Sequence, residues 1–391
     1  MPARAASLVA LALAILGLAV GGSRAANPSD AGDPADRHVV LIMIDGLRWQ
    51  EVFRGLDEAL ATKERGNVAD AEALHRTYGG ASPSERRAKL MPFLWSTVAS
   101  EGRFFGNRDE GSKVECTNGR FVSYPGYSET ICGIVDPSIE GNAKVVNPNR
   151  NVFEALAAKP AFRGRVWAFG CWDVFPFIFG SERNGLYVDD SIGPFAPPAG
   201  SPKLSETILT VNRLRRDVPR RWPGSHFDAM LAPIVLEWTR LSRPRALFIA
   251  YGETDEWAHE TDYARYLDAA HRADASIAEL WQLMQSMPEY RNRTTFVITA
   301  DHGRGATESA SRNGRATTPE PADRMRCGWR SSDQAFGPRR RPPMSPSIRP
   351  KSQRPLPARW EWIGRARFPP PHRRLTSDRG TTIRRHERRA P

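Results

Sequence analysis

Three apolar segments of this sequence are each followed closely by acidic or imidazole side chains. The segments are residues 39–44, 246–251 and 296–298. The side chains after them that could bind metal ions are Asp45, Asp255, His259, Asp301 and His302. Carboxylates and imidazoles are common protein ligands of divalent ions such as Zn²⁺. Each motif alone is equally consistent with a polar turn after a strand, but the combination of all three favours a shared metal site.

The elements that would position these side chains can be predicted from local patterns. The three segments are short, apolar and rich in β-branched or aromatic residues, which indicates buried strands. Their alternation with helical segments favours a largely parallel sheet with helices on both faces. Ligands of such sheets bind beyond the carboxyl ends of the strands. If Asp255 to His259 is helical, the four-residue spacing places both side chains on one helix face.

A candidate nucleophile precedes a short predicted helix. Residues 121–127 are predicted to be extended, because Pro125 disfavours helix in the residue before it. Residues 128–132 then predict a helix. Ser123 lies where the chain enters this helix, whose free N–H groups and positive dipole end suit a phosphoryl group. Ser128 is the alternative nucleophile, since it could also cap the helix.

Three motifs, in this order, resemble the alkaline phosphatase superfamily. They are Asp45-Gly46-Leu47-Arg48, Asp255-x-x-x-His259 and Thr299-Ala300-Asp301-His302-Gly303. The branch that they resemble is the type I phosphodiesterase/nucleotide pyrophosphatase-like proteins, and the resemblance spans about residues 37–305. It implies an alkaline-phosphatase-like α/β fold, a three-layer sandwich with a largely parallel sheet between helices. It also implies hydrolysis of a small-molecule phosphate ester.

The resemblance assigns a nucleophile. In that family the nucleophilic Thr or Ser lies two residues before a Pro and ten before a Gly. Ser123, Pro125 and Gly133 keep those intervals, so the register prefers Ser123 to Ser128. The serine oxygen would attack phosphorus and form a phosphoserine intermediate.

The resemblance also implies two divalent metal ions, Zn²⁺ with Mn²⁺ as the alternative. In the family pattern the ligands form two sets, one of Asp45, Asp301 and His302 and the other of Asp255, His259 and a further downstream His. This sequence departs from the pattern at that last ligand. The histidines beyond His302 are His372 and His386, both in Pro/Arg-rich surroundings, and neither is assigned.

Other classes of protein fit less well. The segment Gly126-Tyr127-Ser128-Glu129-Thr130 lacks the second Gly of a serine-esterase nucleophile elbow. Sulfatases require an Arg where Tyr127 stands. The remaining alternative is a non-catalytic exported protein whose phosphatase-like body binds a metal or phosphate without turnover.

Charge is distributed unevenly along the 391 residues. Residues 306–391 contain 21 Lys/Arg and 7 Asp/Glu, a net charge of +14, whereas residues 1–305 contain 35 and 37, a net charge of −2. The tail also holds 13 of the 32 prolines and no apolar periodicity, which predicts disorder.

Three interpretations of this tail are open. It could bind an anionic surface, act as a solvated linker, or be an out-of-frame translation. We favour the last interpretation, because an excess of Arg and Pro without any pattern is typical of a GC-rich gene translated in a wrong frame. We expect no specific nucleic-acid partner.

Residues 1–26 have the features of a secretory signal peptide. Arg4 supplies positive charge, the apolar run 7–20 is short for a membrane span, and Ser23 and Ala25 suit signal peptidase. The alternative is an uncleaved amino-terminal anchor. Cleavage would leave a catalytic domain over residues 27–305 in the periplasm or outside the cell, without a transmembrane anchor, and nothing predicts its oligomeric state.

Four cysteines and several local patterns complete the expectations. Export permits disulfides, and among the three pairings that four cysteines allow we favour Cys116 with Cys132, with buried free thiols as the alternative.

Apolar spacing predicts helices over residues 49–60 and 263–284. Residues 61–88 are predicted to be a polar surface excursion, and residues 172–203 to form loops beside the site.

Overall fold

The computed structural model describes residues 37–304. Its centre is a sheet of five strands in the order β3-β2-β4-β1-β5. The strands are β1 His38–Ile44, β2 Val166–Phe169, β3 Val188–Asp189, β4 Ala246–Tyr251 and β5 Thr294–Thr299. All pairings between them are parallel, so the predicted parallel sheet is confirmed in the described part of the chain.

Successive residues of β1 face opposite sides of the sheet and belong to two separate hydrophobic cores. Val40 and Ile42 pack in the larger core, and Val39 and Leu41 in the smaller one. Every residue of the strand is buried. A strand covered on both faces needs apolar side chains at every position rather than at alternate ones. The continuous apolar run of the sequence therefore matches the central place of β1 in the sheet.

Helices cover both faces of this sheet. In chain order they are α1 Trp49–Arg54, α2 Lys63–Gly66, α3 Ala71–Tyr78, α4 Pro83–Leu90, α5 Ala99–Glu101, α6 Ser123–Cys132, α7 Val152–Ala157, α8 Phe175–Ile178, α9 Ser181–Asn184, α10 Glu206–Asp217, α11 Ala232–Ser242, α12 Glu253–His259 and α13 Tyr263–Ser286. Side chains of α3, α4, α10, α11 and α13 enter the larger core, and those of α6, α7 and α8 enter the smaller one. The expected three-layer α/β sandwich is therefore confirmed.

The long predicted helix is confirmed as α13, whereas the helix predicted over residues 49–60 was wrong in length. Helix α1 ends at Arg54 because Gly55 adopts a positive φ of 74°, which glycine reaches without a Cβ clash. A Cβ at Gly55 would also lie 2.4 Å from the backbone of Arg86 and Arg87 in α4. The close approach of α4 thus requires a glycine where α1 ends.

Residues 61–88 are more than the predicted surface excursion. They form α2, α3 and most of α4, and Leu74 and Tyr78 of α3 are buried in the larger core. The Tyr78 hydroxyl donates a hydrogen bond to Asp268 Oδ1 at 2.7 Å, which joins α3 to α13. Ala61 and Val68 of the same segment also pack in the larger core, but such scattered apolar residues did not stand out in a polar sequence.

The predicted disulfide between Cys116 and Cys132 was wrong. No disulfide joins Cys116 to Cys132, and the thiols of Cys132 and Cys171 are free. The Cys116 Sγ lies 2.7 Å from the carbonyl oxygen of Asp301, whereas Cys132 lies at the carboxyl end of α6 and accepts a hydrogen bond from Asn147 Nδ2 at 3.7 Å. The two cysteines thus bind different neighbours.

Several expectations concern residues outside the described range of 37–304. These are the signal peptide predicted over residues 1–26, the disordered or out-of-frame tail predicted over residues 306–391, and the unassigned residues His372 and His386. They stay predictions. Within the described range, none of the helices is both long and apolar enough to cross a membrane.

We predict that His38, at the start of β1, makes stability depend on pH. The ring is buried against Tyr290 at a centroid distance of 4.5 Å, and burial lowers the pKa of His38 to about 4 from its usual 6.5. Above pH 6.5 both folded and unfolded chains carry a neutral ring. As the pH falls from 6.5 to 4, only the unfolded state gains a proton, so stability is lost.

The expected loss is about 3 kcal/mol relative to His38→Gln, since each unit of pKa difference corresponds to about 1.4 kcal/mol. Urea unfolding of both proteins at several pH values between 7 and 4 measures it, because titrations elsewhere cancel in the difference. Parallel stability profiles for the two proteins would show that His38 is not buried in a neutral form.

Candidate active site

The candidate ligands follow the carboxyl ends of three adjacent strands. Strand β1 lies between β4 and β5, with Ile44 paired to Tyr251 and Met43 to Thr299. Asp45 follows β1 directly, helix α12 follows β4 after one residue, and Asp301 follows β5 after one residue. Because parallel strands end at the same edge, these segments meet there.

Ser123 is brought into this cluster by helix α6. Its hydroxyl donates a hydrogen bond to Asp45 Oδ1 at 3.3 Å and lies 3.3 Å from His302 Nε2. Ser123 is buried and is the first residue of the helix. The hydroxyl therefore lies between a carboxylate and an imidazole, at the positive end of a ten-residue helix.

Helix α6 begins five residues earlier than predicted, which changes the place of Ser128. This residue lies inside the helix and is buried, and its hydroxyl accepts a hydrogen bond from Asn147 Nδ2 at 3.0 Å. The predicted end of the helix is confirmed, since Gly133 adopts a φ of 67° there. Ser128 thus neither caps the helix nor lies at its amino end.

One group of potential ligand atoms stands out in the described residues. Asp45, Asp255 and His302 each offer one atom, and the three atoms lie within 4.8 Å of one another. His302 Nε2 is 3.5 Å from Asp45 Oδ1, 3.8 Å from Asp255 Oδ1 and 3.4 Å from Asp301 Oδ2. This grouping differs from the expected sets, because Asp255 joins Asp45 and His302.

Asp301 and His259 lie next to members of this group, Asp301 beside His302 and His259 beside Asp255. Asp301 Oδ1 accepts a hydrogen bond from Gly46 N at 3.0 Å, whereas its Oδ2 is buried without a hydrogen-bond partner. His259 Nε2 lies 2.9 Å from Asp255 Oδ2, and 42% of its side chain is exposed. The predicted helical spacing of Asp255 and His259 is confirmed by α12, and it directs the imidazole at the carboxylate.

The electrostatics of the cluster fit a bound cation. Burial, followed by repulsion from Asp301 and Asp255, raises the pKa of Asp45 well above its usual range. Burial and the neighbouring Asp255 also raise the pKa of Asp301 to about 7. Carboxylates repel one another in this way where positive charge is scarce. The carboxylate and imidazole donors, together with the unpartnered Asp301 Oδ2, match the ligand preferences of Zn²⁺.

Two side chains that hold Asp45 were missed as parts of the site. The Tyr127 hydroxyl donates to Asp45 Oδ2 at 3.1 Å, and the Thr254 hydroxyl donates to the carbonyl oxygen of Asp45. Tyr127 follows Ser123 by four residues, so both occupy one face of α6. A correct start for α6 would have revealed Tyr127, whereas no local signal points to Thr254.

Asp228 was also missed, and it anchors the helix that bears Asp255. Its carboxylate accepts hydrogen bonds from the amides of Gly252 and Glu253 at 2.8 and 3.1 Å. The Glu253 carboxylate in turn accepts from the Asp228 amide at 2.9 Å. The first amides of α12 are therefore capped by a residue distant in the sequence.

A cavity of about 140 Å³ opens beside Ser123. It is lined by Asp45, Ser123, Tyr127, Asn142, Cys171, Trp172, Phe175, Ser225, Gly252, Asp255, Glu256 and His259. Trp172 and Phe175 belong to the segment over residues 172–203 that was predicted to lie beside the site. The structure thus places aromatic side chains next to the serine and the carboxylates.

Gly126 allows α6 to approach Asp301 closely, and we predict that Gly126→Ala destabilises the protein. An added Cβ would lie 2.3 Å from the carbonyl oxygen of Asp301, so helix or loop must move. We expect a loss of about 1–3 kcal/mol in the free energy of unfolding, which is typical of overpacking. Gly193→Ala is the control, because a Cβ there meets no atom within 4 Å. Equal stability of both variants in urea unfolding would contradict the close approach.

The comparisons with known proteins bear on the part of the chain that contains α12 and β5. Residues 172–341 match the family model described as Type I phosphodiesterase / nucleotide pyrophosphatase. The match starts after β1 and Ser123 and continues past residue 305, where the motif-based resemblance ended. No curated protein matched the chain. The family match confirms, over residues 172–341, the resemblance to type I phosphodiesterases and nucleotide pyrophosphatases, and with it to the alkaline phosphatase superfamily.

Proposed function

We propose that this protein is an exported, metal-dependent hydrolase of small phosphate esters that works through a phosphoserine at Ser123. The family that it resembles acts on phosphate esters. The observation that carries the proposal is the position of the Ser123 hydroxyl, 3.3 Å from both Asp45 Oδ1 and His302 Nε2. The proposal covers both phosphomonoesters and phosphodiesters, because the cavity does not distinguish them.

The residues around Ser123 support its role as the nucleophile. The Ser123 hydroxyl donates a hydrogen bond to Asp45 Oδ1. The lone pairs of the serine oxygen therefore point away from this carboxylate. Tyr127 holds the other oxygen of Asp45 at 3.1 Å, which fixes the orientation of the acceptor. In the first turn of α6 the Tyr124 amide donates to Asn142 Oδ1 at 2.9 Å and Pro125 has no N–H, so the helix offers the phosphoryl oxygens mainly its positive dipole end.

The reaction divides into two displacements. The Ser123 oxygen forms a bond to phosphorus as its proton leaves, and the bond from phosphorus to the alcohol or phosphate leaving group breaks. The leaving oxygen then takes up a proton. A water molecule attacks the phosphoserine in the second displacement, which releases phosphate or a phosphomonoester and restores the hydroxyl.

We propose that two divalent ions, Zn²⁺ with Mn²⁺ as the alternative, bind to this cluster. One would be held by Asp45, Asp301 and His302, and the other by Asp255 and His259. When bound, such ions supply positive charge that lowers the pKa of a hydroxyl and stabilises a leaving oxygen. With only two protein ligands assigned to the second ion, where about three are usual, we expect hydrolysis of the phosphoserine to be impaired.

Export is part of the proposal and rests on the sequence. The apolar run over residues 7–20, with Arg4 before it, is typical of a signal peptide. We therefore place the mature protein in the periplasm or outside the cell. The net charge of −2 over residues 1–305 gives no reason to expect a nucleic-acid partner.

We predict that Ser123→Ala lowers the hydrolysis of p-nitrophenyl phosphate and bis(p-nitrophenyl) phosphate by at least about 10³-fold, as is typical when a nucleophile is removed. Metal content should stay close to that of the unaltered protein, since carboxylates and imidazoles supply the ligands. Ser128→Ala is the matched control and should keep its activity, because that hydroxyl contacts Asn147 rather than the cluster.

The intermediate gives a second readout of the same prediction. After rapid acid quenching with substrate, mass spectrometry should find phosphate on the peptide that contains Ser123, and none in Ser123→Ala. Full activity of Ser123→Ala would exclude the serine as nucleophile. Metal binding with neither turnover nor phosphopeptide in the unaltered protein would instead support the non-catalytic alternative.

A further inference from the structure

Both carboxylate oxygens of Asp255 are already engaged by donors from the protein itself. The Arg304 guanidinium makes a short contact from its Nη2 to Asp255 Oδ1, and the same Nη2 lies 3.3 Å from the carbonyl oxygen of Asp255. His259 Nε2 lies 2.9 Å from Asp255 Oδ2. A metal ion that approached Asp255 would therefore find both carboxylate oxygens already in contact with Arg304 or His259.

Arg304 is inside the cluster and not on its surface. Its residue exposure is 7%, and its Nε is buried without a hydrogen-bond partner. The pair lies directly against Gly46, where an added Cβ would be 3.0 Å from Arg304 Nε and 2.4 Å from Asp255 Oδ1. The absence of a side chain at position 46 thus leaves the space in which guanidinium and carboxylate meet.

The charges explain why an arginine is stable there. Three carboxylates, those of Asp45, Asp255 and Asp301, converge at this edge, and a buried carboxylate is costly without a positive partner. The Asp255 carboxylate has three such partners within ion-pair distance, the Arg304 guanidinium and the imidazoles of His259 and His302. Arg304 is the one of the three that always carries a positive charge.

We propose that Arg304 is an internal counter-cation of Asp255, so that a divalent ion bound by Asp255 and His259 competes with its guanidinium for the Asp255 carboxylate. The inference rests on the proposed function in one respect, the binding of divalent ions at this cluster. It adds that the second ion competes with a side chain of the protein, which makes its site weaker than the first.

Two consequences distinguish this arrangement from an ordinary structural ion pair. A competing internal cation lowers the apparent affinity for the ligand that must displace it, so removal of the positive charge should tighten metal binding. The same removal should destabilise the metal-free protein, because Asp255 loses its partner. A purely structural arginine would cause the second effect without the first.

The test is isothermal titration calorimetry, in which Zn²⁺ and, separately, Mn²⁺ are added to the metal-free full-length protein and the dissociation constants are measured. In Arg304→Met, which keeps an unbranched side chain without the guanidinium charge, we expect the second equivalent of metal to bind about tenfold more tightly. Arg304→Lys keeps a positive charge and should stay within about threefold of the unaltered protein. Arg221→Met is the matched control, because Arg221 pairs with Glu260 just beyond α12 and its side chain is 46% exposed.

Thermal unfolding supplies an independent measurement. Arg304→Met should melt at a lower temperature than the unaltered protein in the presence of a chelator, and it should gain more stability on addition of metal. Should Arg304→Met fail to fold, Arg304→Gln serves in its place, since it retains an amide donor for Asp255 and carries no charge.

Unchanged or weaker binding of the second equivalent in the uncharged variants would overturn the inference, as would tightening of equal size in Arg221→Met. Binding of one equivalent only, in every protein tested, would also overturn it. If the protein binds no divalent ion, both this inference and the proposed metal dependence are wrong. If the uncharged variants bind the second metal equivalent more tightly but no phosphoserine forms, only the proposed catalytic route is wrong.

Discussion

The burial of three carboxylates at one edge of the sheet is the constraint on which the rest of this structure depends. Burial, followed by repulsion among Asp45, Asp255 and Asp301, raises the pKa of Asp45 and Asp301. A protein tolerates such a cluster only when cations and donors compensate for it. In the described residues that compensation comes from imidazoles, from Arg304 and from hydroxyl and amide donors, and a divalent ion would supply it more fully.

The sheet makes this cluster possible because its parallel strands end together. Strands β4, β1 and β5 are adjacent, and the two cores on their faces hold them in place. The energy that keeps the carboxylates together thus comes from apolar burial elsewhere in the protein, at roughly 25 cal/mol for each Å² removed from water. The side chains at the carboxyl edge of the sheet can therefore bind a ligand without having to stabilise the fold themselves.

The second level of organisation consists of residues that orient the ligands without resembling ligands themselves. Asp228 caps α12 from outside the helix, Tyr127 and Thr254 hold Asp45, and Gly126 brings α6 against the Asp301 backbone. Each of these contacts joins segments that are distant in the sequence. Together they place the Ser123 hydroxyl between a carboxylate and an imidazole, which is the feature that most directly supports phosphoryl transfer.

By itself the sequence determined the three strands, the long helix α13 and the types of side chain at the strand ends, because apolar periodicity and local spacing record which faces are buried. Strands β1 and β4 are buried as predicted, whereas β5, last in the strand order, is only partly buried. It also limited the candidate nucleophile to Ser123 or Ser128. Only the tertiary structure decided that α6 starts at Ser123, that Asp255 lies beside Asp45 and His302, and that Arg304 pairs with Asp255. These outcomes depend on contacts between residues far apart in the chain, and local pattern carries no information about which distant side chain will neutralise a buried charge.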